Sequence, residues 1–171
     1  MAIHRRGSFI EAGHVPWLIA GLSLCALCLA WLAQYGFGLA PCELCLYQRD
    51  AYWAAIVLSV VAILVAGKPR WRRLLLAGTT LALLAGAATA LYHVGVEQQW
   101  WQGSGGCVGG GFAGLSGADL EAAILNAPVT RCDEVAFALF GVSMAGYNGL
   151  FALALALFAF WGWGRLGRSN G

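Results

Sequence analysis

Four apolar runs, each of about 20 residues, divide the chain, and polar residues gather in the gaps between them. The runs cover about 15–37, 44–66, 74–94 and 144–163. A helix needs about 20 mostly apolar residues to cross a bilayer, so each run predicts a transmembrane helix. Arg5 and Arg6 precede the first run as they would in a secretory leader. A stretch of about 22 residues is too long for the usual leader core of about 7–15, so a retained helix is the better reading. The second run opens oddly. In "PCELCLYQRD" two cysteines, an arginine and an aspartate stand where an apolar helix should begin. The expected fold is all-α, a four-transmembrane-helix bundle forming a single membrane domain over 1–171.

Composition and charge add an orientation. With 60% hydrophobic and 11% charged residues, the chain has too little polar surface for a water-soluble domain. Eight of the ten basic residues lie at Arg5, Arg6, Lys68, Arg70, Arg72, Arg73, Arg165 and Arg168. By the positive-inside rule both termini and the second connection are cytoplasmic. The connections at about 38–43 and 95–143 then face outward, and they hold Glu43, Glu97, Asp119, Glu121, Asp133 and Glu134. The net charge of +2 reflects this topology, and no nucleic-acid partner is expected. Trp100 and Trp101 mark the outer interface, and Trp71, Trp161 and Trp163 the inner one.

On this topology Cys42, Cys45, Cys107 and Cys132 face an oxidising compartment, where disulfides persist, while Cys25 and Cys28 lie within the first helix. The spacing Cys25-x2-Cys28-x13-Cys42-x2-Cys45 comes close to a four-cysteine zinc ribbon. Cys28, however, lies about 14 Å below the surface at about 1.5 Å per residue. Four sulfurs within about 2.3 Å of one ion would need a large excursion of the chain. No metal is expected, and Cys25 and Cys28 read as small apolar packing residues. Plain structural disulfides are the alternative for the outer four. Against them, Cys42-x-x-Cys45 closes a loop too short to stabilise much by chain entropy. At a helix start, with Pro41 before it, the dipole favours a thiolate, which suits thiol exchange.

Arg49 shares a helix face with Cys42 and Cys45, at i, i+3 and i+7, and lies about 6 Å beyond Cys45 along the axis. An ionisable residue just inside a membrane is functional by default, or it snorkels to the interface; the residues alone leave both open. Beside a redox-active thiolate, a lipid-soluble quinone fits, because its carbonyls gain negative charge on reduction and accept hydrogen bonds from Arg. His93 either handles protons at that site or is a polar interfacial residue, and Glu97 is similar. In the long outer loop, "GSGGCVGGG" leaves Cys107 sterically open to a protein partner. No strand precedes these glycines and no Lys-Ser/Thr follows, so they do not cradle phosphate. "SGADLEAAILNAP" predicts a short helix from Ser116, stopped by Asn126 and Pro128.

"PCELCLYQR" and "RCDEVAFALFGVSMAGYN", with four apolar helices and two loop cysteines, resemble the DsbB family of inner-membrane disulfide bond formation proteins across essentially the whole chain. The resemblance implies a thiol:quinone oxidoreductase of the bacterial inner membrane, with its redox sites on the periplasmic side. It would reoxidise a periplasmic thioredoxin-like disulfide oxidase of the DsbA type by two disulfide exchanges. The electrons would pass to a membrane quinone, ubiquinone or menaquinone. On this pattern Cys107 forms the mixed disulfide with the partner, and Cys132 is its disulfide partner and relays electrons to Cys42. Cys45 is the thiolate facing the quinone, with Arg49 helping to bind and polarise it. A monomer surrounded by lipid is expected. Gln48 stands where many members carry an acid. Two alternatives stand beside it: a quinone-linked enzyme of the vitamin K epoxide reductase type, whose loop cysteines usually precede the Cys-x-x-C, and a non-enzymatic membrane protein with structural disulfides.

Overall fold

Small residues take a large share of the buried positions on the long helices in a computed structural model of the chain, which describes residues 13–104, 107, 116–117, 121 and 130–168. Ala55, Ala62, Ala90, Ala152, Ala156 and Ala159 are buried, while Leu29, Leu64, Leu81 and Leu150 are largely exposed. Water would favour the reverse. Lipid is as apolar as leucine, so helices in it associate where small side chains let backbones approach closely.

Helix α1 (Val15–Trp31) has Pro16 in its first turn, where the missing N–H is no loss, and runs on into a π-turn at Leu32–Gly36. Helix α2 (Glu43–Leu64) starts at the Cys-x-x-C, and α3 (Pro69–Glu97) starts on a proline. A two-residue hairpin, β1 (Ala138–Leu139) with β2 (Val142–Ser143), leads into α4 (Met144–Arg168). Phe140 and Gly141 turn this hairpin with φ of 50° and 79°, the handedness that matches strand twist. Strands this short leave no period-2 signal, and the segment reads as plain loop from sequence. Helix α3 overruns its apolar run at both ends, because Arg70, Arg72 and Arg73 ride on its first turns. The short helix expected over 116–128 falls almost wholly outside the described residues.

Among the described residues, three helical segments are long and apolar enough to cross a membrane: α1 with its π-turn, α3 and α4. Helix α2 has the length, at 22 residues, but Glu43, Gln48, Arg49 and Asp50 crowd its first turns and lower its apolarity. Helix α3 packs against both α2 and α4, and α2 packs against α1, while α1 meets α4 only sparsely. Close approaches set these pairings. A Cβ on Gly86 of α3 would lie 2.6 Å from the Ala51 Cβ of α2, and one on Gly162 of α4 would lie 2.7 Å from Val15 of α1. The second contact joins α1 to α4 at the end of the bundle that carries the basic residues. There Arg73 lies over the Trp163 ring at 5.2 Å and Arg165 over Trp161 at 5.0 Å. At the opposite end, where Cys42, Cys45, Cys107 and Cys132 gather, residues of α1 and α4 line a common cavity.

Candidate functional site

Helix α2 begins where it does because Cys42 caps it. Its backbone is extended (φ −79°, ψ 172°), and its Sγ accepts a hydrogen bond from the Cys45 N–H at 3.4 Å. A sulfur in this role does what an N-cap oxygen does, and it sits at the positive end of the helix dipole. Cys45 Sγ lies 3.0 Å from Cys42 Sγ, and both thiols are free. Three groups therefore converge on the Cys42 sulfur: the Cys45 thiol, the Cys45 N–H and His93 Nε2 at 3.6 Å. Its pKa falls from 9.0 to about 4; the hydrogen bond from the Cys45 thiol is the main cause, and His93 adds to it against the cost of burial. These contacts favour ionisation at Cys42.

His93 stands on the last turns of α3 and is held from two sides. Its Nδ1 lies 3.0 Å from Gln48 Nε2. Gln48 Oε1 accepts from Asn148 Nδ2 at 2.5 Å, and Asn148 Oδ1 accepts from the Tyr52 hydroxyl at 2.6 Å. This chain, buried at His93 and Gln48 and partly buried at Asn148, runs from α3 through α2 to α4. Gln48 and Tyr52 join it together because residues four apart share one helix face. Glu97, one turn beyond His93, brings Oε1 to 3.9 Å from His93 Nε2, with both side chains 5% exposed. Its Oε2 is buried with no hydrogen-bond partner.

A cavity of about 470 Å³ opens at this end of the bundle, within the usual range for small-molecule sites. Apolar residues of α1, α2, α4 and the 130–137 segment line most of it, and Cys42, Cys45, Arg49, His93 and Glu97 reach it. Arg49 donates from Nη1 to Gln34 Oε1 at 2.6 Å and from Nη2 to the Ala30 carbonyl at 3.2 Å. It thereby ties α2 to the end of α1 and to the π-turn. This is a third role, beside the interface anchor and the quinone contact that the sequence left open.

Cys107 and Cys132 form a disulfide with Cα atoms 5.0 Å apart. It packs with Cys42, Leu44 and Val96 in one buried cluster, against which Cys45 also lies. Ser104 fastens this segment to α2 by donating to Glu43 Oε2 at 3.2 Å. The expectation of an open Cys107 does not hold: the residue is 1% exposed. Glycine freedom works the other way here. Gly103, lacking a Cβ, lets the Cys107 side chain fold in against it, and an added Cβ would lie 2.8 Å from the Cys107 Cβ.

The fold thus brings together Cys42, Cys45, Cys107, Cys132, His93 and Arg49 at one end of the bundle. Cys25 borders the cavity and Cys28 does not; both are free and exposed, so the four-cysteine zinc set is not gathered. Sequence reasoning missed Gln34, Tyr52 and Asn148 and gave Gln48 no role. One signal was present for Asn148, a polar side chain inside an apolar run, which in a membrane marks a packed or functional position.

The family model described as Disulfide bond formation protein DsbB matches residues 13–162. An uncharacterized protein of Rickettsia prowazekii is 30% identical over 139 residues, covering 80% of this chain and 79% of its own. Disulfide bond formation protein B of Neisseria gonorrhoeae is 28% identical over 156 residues, covering 87% and 93%. The protein of the same name from Neisseria meningitidis serogroup C is 27% identical over 156 residues, with the same coverage. No solved structure gives a significant match.

Proposed function

The chain belongs to the DsbB family of disulfide bond formation proteins, and from that premise we propose that it carries electrons from a reduced thioredoxin-like partner of the DsbA type to a membrane quinone. The observation that carries this reading is the juxtaposition of two cysteine pairs in different redox states. Cys107–Cys132 is bonded, Cys42 and Cys45 are free, and both pairs pack in one cluster beside a cavity that Arg49 borders. On this reading all four helices, α2 included, span the membrane as one unit. Both termini are cytoplasmic, and the cysteine end faces the periplasm.

The exchanges balance as follows. Cys107 is 1% exposed, so the loop first has to lift from the cluster; a thiolate of the partner then attacks Cys107 Sγ, the Cys107–Cys132 bond breaks, and Cys132 leaves as a thiolate. The partner's second thiol resolves the mixed disulfide, so the partner departs oxidised and the loop pair is left with two electrons. With Cys42 and Cys45 bonded, Cys132 attacks Cys42 and releases Cys45 as a thiolate at the cavity. Cys107 then attacks Cys132, which re-forms the loop disulfide and returns Cys42 as a thiol or thiolate. The result is the redox pattern described above.

The cavity fits a quinone headgroup in size, in its apolar lining and in the few polar groups that meet there. A bound quinone supplies the acceptor for two electrons and two protons. Arg49 donates to its carbonyl region and offsets negative charge near Cys45. His93 takes or returns a proton at Nε2, beside Cys42 Sγ, and the Gln48–Asn148–Tyr52 chain fixes its ring. The test uses purified protein, a reduced thioredoxin-like oxidase and a soluble quinone analogue, followed by quinone absorbance. Stoichiometric loss of quinone that requires both cysteine pairs is the expected result. Oxidation of the partner without quinone consumption would overturn the reading.

A further inference from the structure

Three donors that serve the proposed relay also converge at the head of α2 in the manner of metal ligands. Cys42 Sγ, Cys45 Sγ and one ring nitrogen of His93 all lie within 4.8 Å of one another. A tetrahedral site with metal–sulfur bonds of about 2.3 Å and metal–nitrogen bonds of about 2.0–2.1 Å sets sulfur and nitrogen about 3.5 Å apart. Cys42 Sγ and His93 Nε2 are already 3.6 Å apart. The two sulfurs, at 3.0 Å, would have to open to about 3.8 Å.

Glu97 lies outside that 4.8 Å set and would have to swing toward the sulfurs to complete a fourth position. Glu97 reaches the same cavity with a 5% exposed side chain, its Oε1 is 3.9 Å from His93 Nε2, and its Oε2 is buried without a partner. A buried carboxylate oxygen left unsatisfied is costly, and a cation between it and the thiolates would relieve that cost. A metal-bound His93 would need the Gln48 and Asn148 amides both turned over, since Nδ1 faces Gln48 Nε2 and Gln48 Oε1 accepts from Asn148 Nδ2. With Nε2 on an ion, Nδ1 carries the proton, and Gln48, turned over, offers it Oε1 in the manner of outer-shell partners in zinc sites. The zinc set weighed from the sequence needed Cys25 and Cys28; the fold replaces them with His93 and Glu97.

We propose that the dithiol form of this site binds one thiophilic divalent ion of the Zn²⁺ or Cd²⁺ kind through Cys42, Cys45, His93 and Glu97, and that the disulfide form does not. Two metal–sulfur bonds form, any proton still on either sulfur is released, and no electron moves. Disulfide sulfurs are poor ligands, so oxidation of the pair ejects the ion. An ion held there blocks the Cys42–Cys45 exchange, a consequence that rests on the function proposed above, whereas the binding itself does not.

The experiment uses the full chain with Cys25→Ala, Cys28→Ala, Cys107→Ser and Cys132→Ser, so that only one pair of thiols remains. Reduced protein is titrated with Cd²⁺ and followed by cadmium–thiolate ultraviolet absorbance. One ion per chain is expected in the reduced form, and none in the oxidised form. In His93→Gln and in Glu97→Gln the affinity should fall at least tenfold, since loss of even an outer-shell partner typically costs about 10–100-fold. Unchanged affinity in both variants would mean that the dithiol chelates alone, and would overturn the four-donor site, as would absence of binding. X-ray absorption on the Zn²⁺ form of the same protein decides the matter should a variant not fold. A shell of two sulfurs with an imidazole supports the proposal, and a shell without imidazole refutes it. Quinone-linked turnover of the wild-type chain, measured without metal, keeps the two readings apart. Turnover with no Cd²⁺ binding sinks this inference alone, and Cd²⁺ binding with no turnover leaves it standing while the proposed function falls.

Discussion

Replacing Arg49 by lysine keeps the charge and removes the fork. In the wild-type chain two guanidinium nitrogens reach two acceptors on the end of α1, Gln34 Oε1 at 2.6 Å and the Ala30 carbonyl at 3.2 Å. One ammonium cannot span both. A hydrogen bond from a charged donor contributes about 1.5–3 kcal/mol, and the partial exposure of Arg49 puts each bond near the lower end. Since about 1.4 kcal/mol is tenfold, Arg49→Lys should raise the quinone KM about tenfold, and Arg49→Ala, losing both bonds, about a hundredfold. The assay is steady-state turnover against soluble quinone in matched detergent. Single-turnover exchange between Cys107 and the partner serves as the control and should not change. Gln34→Ala separates clamp from contact. It leaves the guanidinium in place, so KM should rise less than in Arg49→Ala if the arginine meets the headgroup, and as much if it acts only through α1. The same quinone KM in wild type, Arg49→Lys and Arg49→Ala would refute both roles.

Three further outcomes are expected. The Cys42 pKa is lowered from 9.0 to about 4, so the stability it lends the dithiol form is complete above pH 9, shrinks as pH falls, and is gone below pH 4. The thiolate ultraviolet absorbance of the reduced protein should disappear near pH 4, and His93→Gln should move that midpoint upward; a midpoint near 9 would contradict the geometry. A reduced partner that lacks its second thiol should be trapped by the wild-type chain as a mixed disulfide at Cys107, visible on non-reducing gels and mapped by mass spectrometry, because the Cys107–Cys132 bond is what it attacks; a mixed disulfide mapped to Cys132 would exchange the two roles. Gly86→Val sets a Cβ 2.6 Å from that of Ala51, an overpacking that costs about 1–3 kcal/mol. It should lower the thermal midpoint in detergent and leave the quinone KM unchanged.

Much of this was local and therefore legible in the sequence. Backbone polar groups in lipid must be satisfied within the helix, so length and apolarity alone place α1, α3 and α4, and they bring out α2 despite its polar first turns. Cys42, Cys45 and Arg49 share a face by spacing alone, and Pro41 with Cys42 marks the start of α2. The position of His93 against Cys42, 51 residues away, was not legible, nor was the bond between Gln48 and Asn148, 100 residues apart. Neither the clamp of Arg49 on α1 nor the inward fold of Cys107 could be read either. These depend on how each helix is turned about its axis. In water the apolar stripe of a helix announces the buried face, but a helix in lipid is apolar all round and carries no such mark. The rotation is settled only when backbones meet, at contacts such as Gly86 on Ala51 and Gly149 on Ala90. Those contacts turn His93, Gln48 and Asn148 toward one another and leave the cavity that residues of α1 and α4 line.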